Sequence, residues 1–159
     1  LNGRELGTKK LKNFKAVFRT PYAPGTLTAE ALDDSGKTIS TFSLSSGDGE
    51  IHLRVVPEKS VLKANGTDLC YLPIEFADGT GRLLPAIEQS VEVLAEGAVS
   101  LIGMGSALYK TNESFLQNHY RAYRGRVLAV LKAEDKPGKA AVTIKSAGVE
   151  PVTIHLEVE

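Results

Sequence analysis

Three observations in this 159-residue sequence predict an all-β fold. Apolar and polar residues alternate with a period of two over many short stretches, the mark of strands with one buried face. Turn formers separate these stretches, Asn65-Gly66, Asp78-Gly79, Glu96-Gly97 and Asp135–Gly138 among them, and over most of residues 50–159 turn signals recur every roughly 8–12 residues, as in a β-sandwich. No stretch keeps a 3.6-residue apolar period long enough for a helix of note; at most, Thr111 caps a turn through Phe115.

Taken in order, Asn2-Gly3 and Leu6-Gly7 bracket a tight hairpin-like turn, since Asn-Gly is the strongest short turn signal. Phe14–Arg19 is predicted as a strand with Phe14, Ala16 and Phe18 on one face. Pro21–Gly25 makes a rigid turn, Thr26–Leu32 a second strand, and Lys37–Leu44 a third after the Asp33–Gly36 turn. This meander of about three strands buries too little apolar surface to fold alone and needs a partner sheet. Ser45–Gly49 is small, polar and flexible, so the domain boundary is placed there, dividing residues 1–47 from 50–159.

Beyond it the strands are Ile51–Val55, Leu69–Phe76, Gln89–Leu94 and Val99–Ile102, then Arg126–Lys132, Val142–Ile144 and Val152–Val158. Pro73 suggests an edge position or a bulge for its strand. Arg126–Lys132 is apolar on both faces and reads as a central strand. About seven strands so spaced predict a Greek-key sandwich of immunoglobulin type, although the chain has no Trp for an antibody-like core. Between Val99–Ile102 and Arg126 runs a connection far longer than the common ~4–6 residues, and long loops on β scaffolds often carry function.

Lys plus Arg and Asp plus Glu each number 19, so no global field gathers polyanions, which argues against nucleic acid or an anionic membrane as a partner. No run approaches the ~18 apolar residues of a membrane helix. Met104 is the only methionine, so Leu1 is not a natural start and the chain is expected to be a piece of something larger. The single cysteine, Cys70, can form no internal disulfide and reads as a small buried hydrophobe.

The order of several turn motifs carries a resemblance. Asn2–Gly7 followed by Phe18–Leu27 resembles the "NG-x-x-x-G" and "Y-x-P-G-x-L-x-A" elements of a sandwich domain behind the catalytic barrel of glycoside hydrolase family 2 enzymes, the β-galactosidase group. Leu62–Asp68, Gly103–Ala107 and Tyr123–Ala129 resemble the immunoglobulin-like module that follows it. The resemblance implies that residues 1–47 are the tail of one sandwich whose first strands lie upstream, and that 50–159 form a complete second one. It also implies a parent glycosidase whose two catalytic carboxylates belong to a (β/α)8 barrel. This chain has no βα units, so neither carboxylate is carried over onto it, and the chain itself is expected to be non-catalytic.

The residues alone agree. Asp33, Asp34, Asp68, Asp78 and Asp135 fall in turns, and Glu92, Glu157 and Glu159 on outward strand positions. His52, His119 and His155 are scattered, no His/Cys cluster has metal-ligand spacing, and no cofactor motif stands out. Asn65-Gly66-Thr67 and Asn112-Glu113-Ser114 read as turns rather than glycosylation sites.

The candidate contact residues are Tyr109, Phe115, Tyr120, Tyr123 and Arg124 of the long loop, interleaved with Lys110, Arg121 and Arg126. A docking surface for the upstream barrel or another subunit, a carbohydrate platform, and single-stranded nucleic acid compete for them, the last disfavoured by the neutral charge. Two other readings stay open: a free-standing glycan-binding module and an adhesin-like spacer resembling bacterial surface repeats. A periplasmic or secreted location is favoured over a cytoplasmic one.

Overall fold

The computed structural model describes residues 1–159, which divide into two compact units, Leu1–Asp48 and Gly49–Glu159. In the first, β1 (Thr26–Leu32) and β2 (Thr38–Ser45) form an antiparallel ribbon. The strand expected over Phe14–Arg19 is absent. Asn13 and Phe14 instead take φ of 51° and 61°, closing a small turn between Lys12 and Lys15, and Phe14 is 99% exposed. Apolar alternation makes a strand only when a neighbouring strand supplies hydrogen-bond partners, and none lies beside this segment.

The second unit is the expected immunoglobulin-like sandwich. Its strands are β3 (His52–Val55), β4 (Val61–Leu62), β5 (Leu69–Ala77), β6 (Ser90–Gly97), β7 (Val99–Gly105), β8 (His119–Arg121), β9 (Arg126–Ala133), β10 (Gly138–Ser146) and β11 (Val149–Val158). One sheet has the order β4-β11-β10-β6-β8 and the other β3-β5-β9-β7. Seven of these strands are the seven legible in the sequence. The others, β4 and β8, have only two and three residues, too short to show a period.

The inner faces make one core. Cys70, Leu72, Ile74 and Phe76 of β5 and Val127, Ala129 and Leu131 of β9 meet Val91 and Val93 of β6, Val142 and Ile144 of β10, and Leu156 of β11. All are buried, and burial of each large aliphatic or aromatic side chain stabilises the fold by about 1.5–3 kcal/mol. As expected, β9 is interior to its sheet, between β5 and β7.

Pro73 sits on β5, also an interior strand, rather than at a sheet edge. The pairing of β3 with β5 stops at Val55↔Ile74, and Tyr71 on the same strand directs its carbonyl to the Glu58 N–H (3.0 Å) on that side. By the alternation of strand hydrogen bonds, the Pro73 nitrogen points the same way, just past the end of β3, where no ladder bond is required of it. The strand is locally an edge at that residue.

The chain crosses from one sheet to the other between β6 and β7 within two residues, Gly97-Ala98. Gly97 has φ of 88°, and a Cβ built there would lie 2.3 Å from the Lys139 carbonyl. Both the backbone angle and the contact with backbone exclude a side chain. Gly97→Ala is expected to destabilise this unit by about 1–3 kcal/mol in a urea titration; an unchanged midpoint would show that the corner relaxes freely.

Candidate functional site

The two outer faces of the sandwich differ in chemistry. On the β11-β10-β6 side, cross-strand neighbours are Lys139↔Glu157, Ala141↔His155 and Glu96, Thr143↔Thr153 and Leu94, and Lys145↔Glu92. Thr143 and Thr153 share a hydroxyl hydrogen bond of 3.0 Å. This is a solvated face.

On the β5-β9-β7 side the register aligns Tyr71↔Val130↔Gly103 and Pro73↔Leu128↔Gly105. These six residues are apolar or lack a side chain. Pro73, Leu128, Val130, Gly103 and Gly105, together with Phe115, line a shallow groove of about 560 Å³, lined also by Ser106 and Ala107. Leu128 remains 38% exposed and Phe115 60%. β9 is apolar on both faces, as its sequence pattern shows, and Leu128 on its outer face stays partly exposed at the groove.

An ion network closes one end of the groove. Glu75 lies between Arg54 and Arg126, in register with both. Arg126 Nε donates to Glu75 Oε1 at 2.9 Å, and Arg54 Nη2 donates to Oε2. Burial raises the Glu75 carboxyl, but hydrogen bonds and charge from Arg126 and Arg54 outweigh it and hold the pKa below the usual carboxylate value. Two guanidinium groups on one carboxylate leave a net positive charge at this end.

The long connection is ordered around the groove's rim. The Met104 N–H donates to the Phe115 carbonyl (2.8 Å), which ties the loop to β7. A Cβ on Gly105 would sit 3.3 Å from the Phe115 ring, so the bare strand makes room for it. The Thr111 hydroxyl accepts from the Glu113 N–H (3.1 Å), and Glu113 in turn accepts from the Arg121 N–H (2.9 Å). Arg121 also holds Glu88, through its carbonyl and its carboxylate.

The five aromatic and basic residues singled out from the sequence do not share one surface. Tyr109 is exposed, with Lys110 Nζ 5.8 Å from its ring centre. Tyr123 is half-buried, and the Arg124 guanidinium lies 5.4 Å from its ring centre. Phe115 borders the groove. Tyr120 is the correction: it is 0% exposed, a core residue that no partner can touch. The segment expected to be loop contains β8, and pairing of Tyr120 with Val91 turns its ring inward, stacked 5.7 Å from Phe115. The polar/apolar alternation of His119-Tyr120-Arg121-Ala122 runs over only four residues, too few to mark a strand on their own.

The acids of the turns are engaged in shaping them. Asp33 accepts from Ser35 and Lys37, Asp68 from Lys59 and Lys63, and Asp78 from Thr80 and Arg82. No group of three His, Cys, Asp or Glu side chains is placed to hold a metal ion.

A carboxyl with a depressed pKa contributes stability that is fully present above its unfolded value, about 4.3, and lost as the pH falls through the folded value. The stability gap between the wild type and Glu75→Gln, from denaturant midpoints, should therefore be widest above about pH 5 and close below about pH 4. A gap of constant size down to pH 3 would contradict the ion network as its source.

Comparison with known proteins places this geometry. The β-galactosidase BoGH2A of Bacteroides ovatus is 29% identical over 161 residues, a match covering 100% of this chain and 19% of that protein. The structure of a glycosyl hydrolase family 2 member from Bacteroides cellulosilyticus matches with a TM-score of 0.92 at 28% identity, over 100% of this chain and 21% of the other. A β-glycosidase from Bacteroides vulgatus shares the fold at a TM-score of 0.83 and 22% identity, over 99% and 20%. The chain spans about a fifth of the length of these relatives. Residues 1–40 match a domain of unknown function (DUF4982). Residues 53–155 match the model for glycoside hydrolase family 2 C-terminal domain 5, and the chain belongs to that family.

Proposed function

We propose that this chain is the non-catalytic C-terminal region of a β-galactosidase-like family 2 glycosidase, and that it buttresses the catalytic barrel of the same polypeptide. Family membership supports the parent class, and the relatives are about five times longer than this chain. The observation that carries the role is the contrast between outer faces. One is a polar ladder built for water, whereas the other places Pro73, Leu128, Val130 and two glycines around an open groove. Apolar area of this kind is stabilising only when something covers it. Flanking cations at Arg54 and Arg126 suit a partner surface with an apolar centre and a carboxylate beside it. The carbohydrate reading rests on the exposed Phe115 ring at the groove mouth, and galactan titration distinguishes it.

Two measurements check the proposal. The purified 159-residue chain should hydrolyse a chromogenic galactoside no faster than buffer; turnover that survives repurification would overturn the non-catalytic assignment. Leu128→Lys, at a partly exposed position, should shift the stability of the isolated chain by no more than about 0.5 kcal/mol. In the parent enzyme the same substitution should cost roughly 1 kcal/mol more than in the isolated chain, read from denaturant midpoints, as docking is lost. Equal effects in the two contexts would remove the groove from the interface.

A further inference from the structure

The groove on the outer face of the second sandwich has the floor of a socket for one planar group. Two register rows form it, Gly103↔Val130 and Gly105↔Leu128↔Pro73, so its β7 side is bare backbone. Strands about 4.8 Å apart and same-face rows roughly 7 Å apart give that floor an area that one aromatic side chain covers.

The wall of the socket is set before anything enters. The Phe115 ring stacks on the fully buried Tyr120 ring, with centroids 5.7 Å apart and planes 10° from parallel. Its carbonyl is held by the Met104 N–H (2.8 Å), and its edge lies where a Cβ on Gly105 would come to 3.3 Å. Fixed from behind and from below, Phe115 still leaves 60% of its surface open. Aromatic pairs favour offset or edge-to-face contact at centroid separations of about 4.5–7 Å, so a further ring entering the groove extends the Tyr120–Phe115 stack.

One cation borders this space. Arg126 lines the groove, and Arg54 does not. Arg126 spends only Nε on Glu75, and its two Nη nitrogens have no acceptor within the chain. Glu75 engages one oxygen with Arg126 and the other with Arg54, so it holds the fork in place without neutralising both charges. A guanidinium presented in this way matches a carboxylate through two parallel N–H···O bonds. The rest of the lining offers a single neutral side-chain hydroxyl, that of Ser106. The ring hydroxyls of a sugar would lose their water here without gaining partners, whereas an apolar ring loses nothing.

We propose that the groove is a socket for one aromatic side chain of the catalytic barrel of the same polypeptide, packed against Phe115 over Gly103 and Gly105, with a carboxylate beside it gripped by the Arg126 Nη nitrogens. This rests on the docking role proposed above and names what docks. Charge complementarity selects the occupant: the only group at the groove's rim with unused donors is a cation, and the floor accepts nothing polar.

Small probes test the chemistry directly. The chain contains no Trp, so the indole fluorescence of added N-acetyl-tryptophanate reports the probe alone. In the isolated 159-residue chain this probe should bind saturably and shift the amide resonances of Gly103, Gly105 and Leu128. N-acetyl-tryptophanamide, with the same ring and no charge, should bind roughly threefold more weakly, the worth of an exposed ion pair. Arg126→Gln should impose that loss on the tryptophanate and leave the amide unaffected, and Phe115→Ala should weaken both alike. N-acetyl-leucinate should bind roughly threefold more weakly than the tryptophanate. Should Arg126→Gln fail to fold, the comparison of tryptophanate with its amide on the unsubstituted chain decides the carboxylate.

Three results overturn the inference: no shift at those amides with millimolar probe, leucinate bound as tightly as tryptophanate, or galacturonate bound more tightly than either. In the parent enzyme, where the socket is filled, the probe should leave the same amides unmoved. Binding to the parent and the isolated chain alike overturns the barrel as occupant, and the docking role with it. Binding to neither overturns the socket alone, since the effect of Leu128→Lys in the parent tests docking separately.

Discussion

A β-sheet has two faces, and every apolar face must be covered by something; this chain is organised by how it meets that requirement. In the sandwich, the inner faces of β5 and β9 close against those of β6, β10 and β11, and the enclosed side chains supply its stability with no internal disulfide. Elsewhere in the chain the requirement is left unmet. The outer face of β5-β9-β7 and one face of the β1–β2 ribbon remain apolar and open. The register of β1 and β2 keeps Thr26, Thr28, Ser43 and Ser45 on the other side of the ribbon, and the register of β5, β9 and β7 brings Pro73, Leu128 and Gly105 together on the open face of the sandwich.

The short motifs behind the resemblance acquire a physical reason from the structure. Asn2-Gly3 and the Pro24–Thr26 turn are distant in sequence but are held together by the Asn2 side chain, which reads both the Pro24 carbonyl and the Thr26 N–H. Gly103-x-Gly105 leaves β7 bare so that Phe115 can approach and so that Leu128 and Val130 remain open. Arg124-Gly125 turns the chain from one sheet into the other and brings Arg126 to Glu75. Turn chemistry in this protein therefore shapes the groove and its rim.

Much of the sandwich was legible because strand burial writes a period of two into the sequence. Val152–Val158 and Leu69–Phe76 show it directly. The misreadings have two physical sources. Phe14–Arg19 alternates correctly but has no neighbour to pair with, and pairing is invisible in a local pattern. Tyr120 lies on a three-residue strand inside a long connection, where an aromatic among basic residues imitates a contact surface while its register with Val91 buries it. The groove was half legible: β9 displayed its second apolar face, but only the register of β5, β9 and β7 brings Pro73, Leu128 and Gly105 side by side.

The central claim is that the open apolar faces are closed within the polypeptide to which this chain belongs. Hydroxyl-radical footprinting of the unsubstituted parent enzyme and of the isolated 159-residue chain reads that closure at native side chains. Phe42, Leu44, Phe115 and Leu128 should oxidise readily in the isolated chain and be protected in the parent, while His155 on the polar face reacts equally in both. Equal oxidation of the four apolar residues in the two proteins would contradict the account.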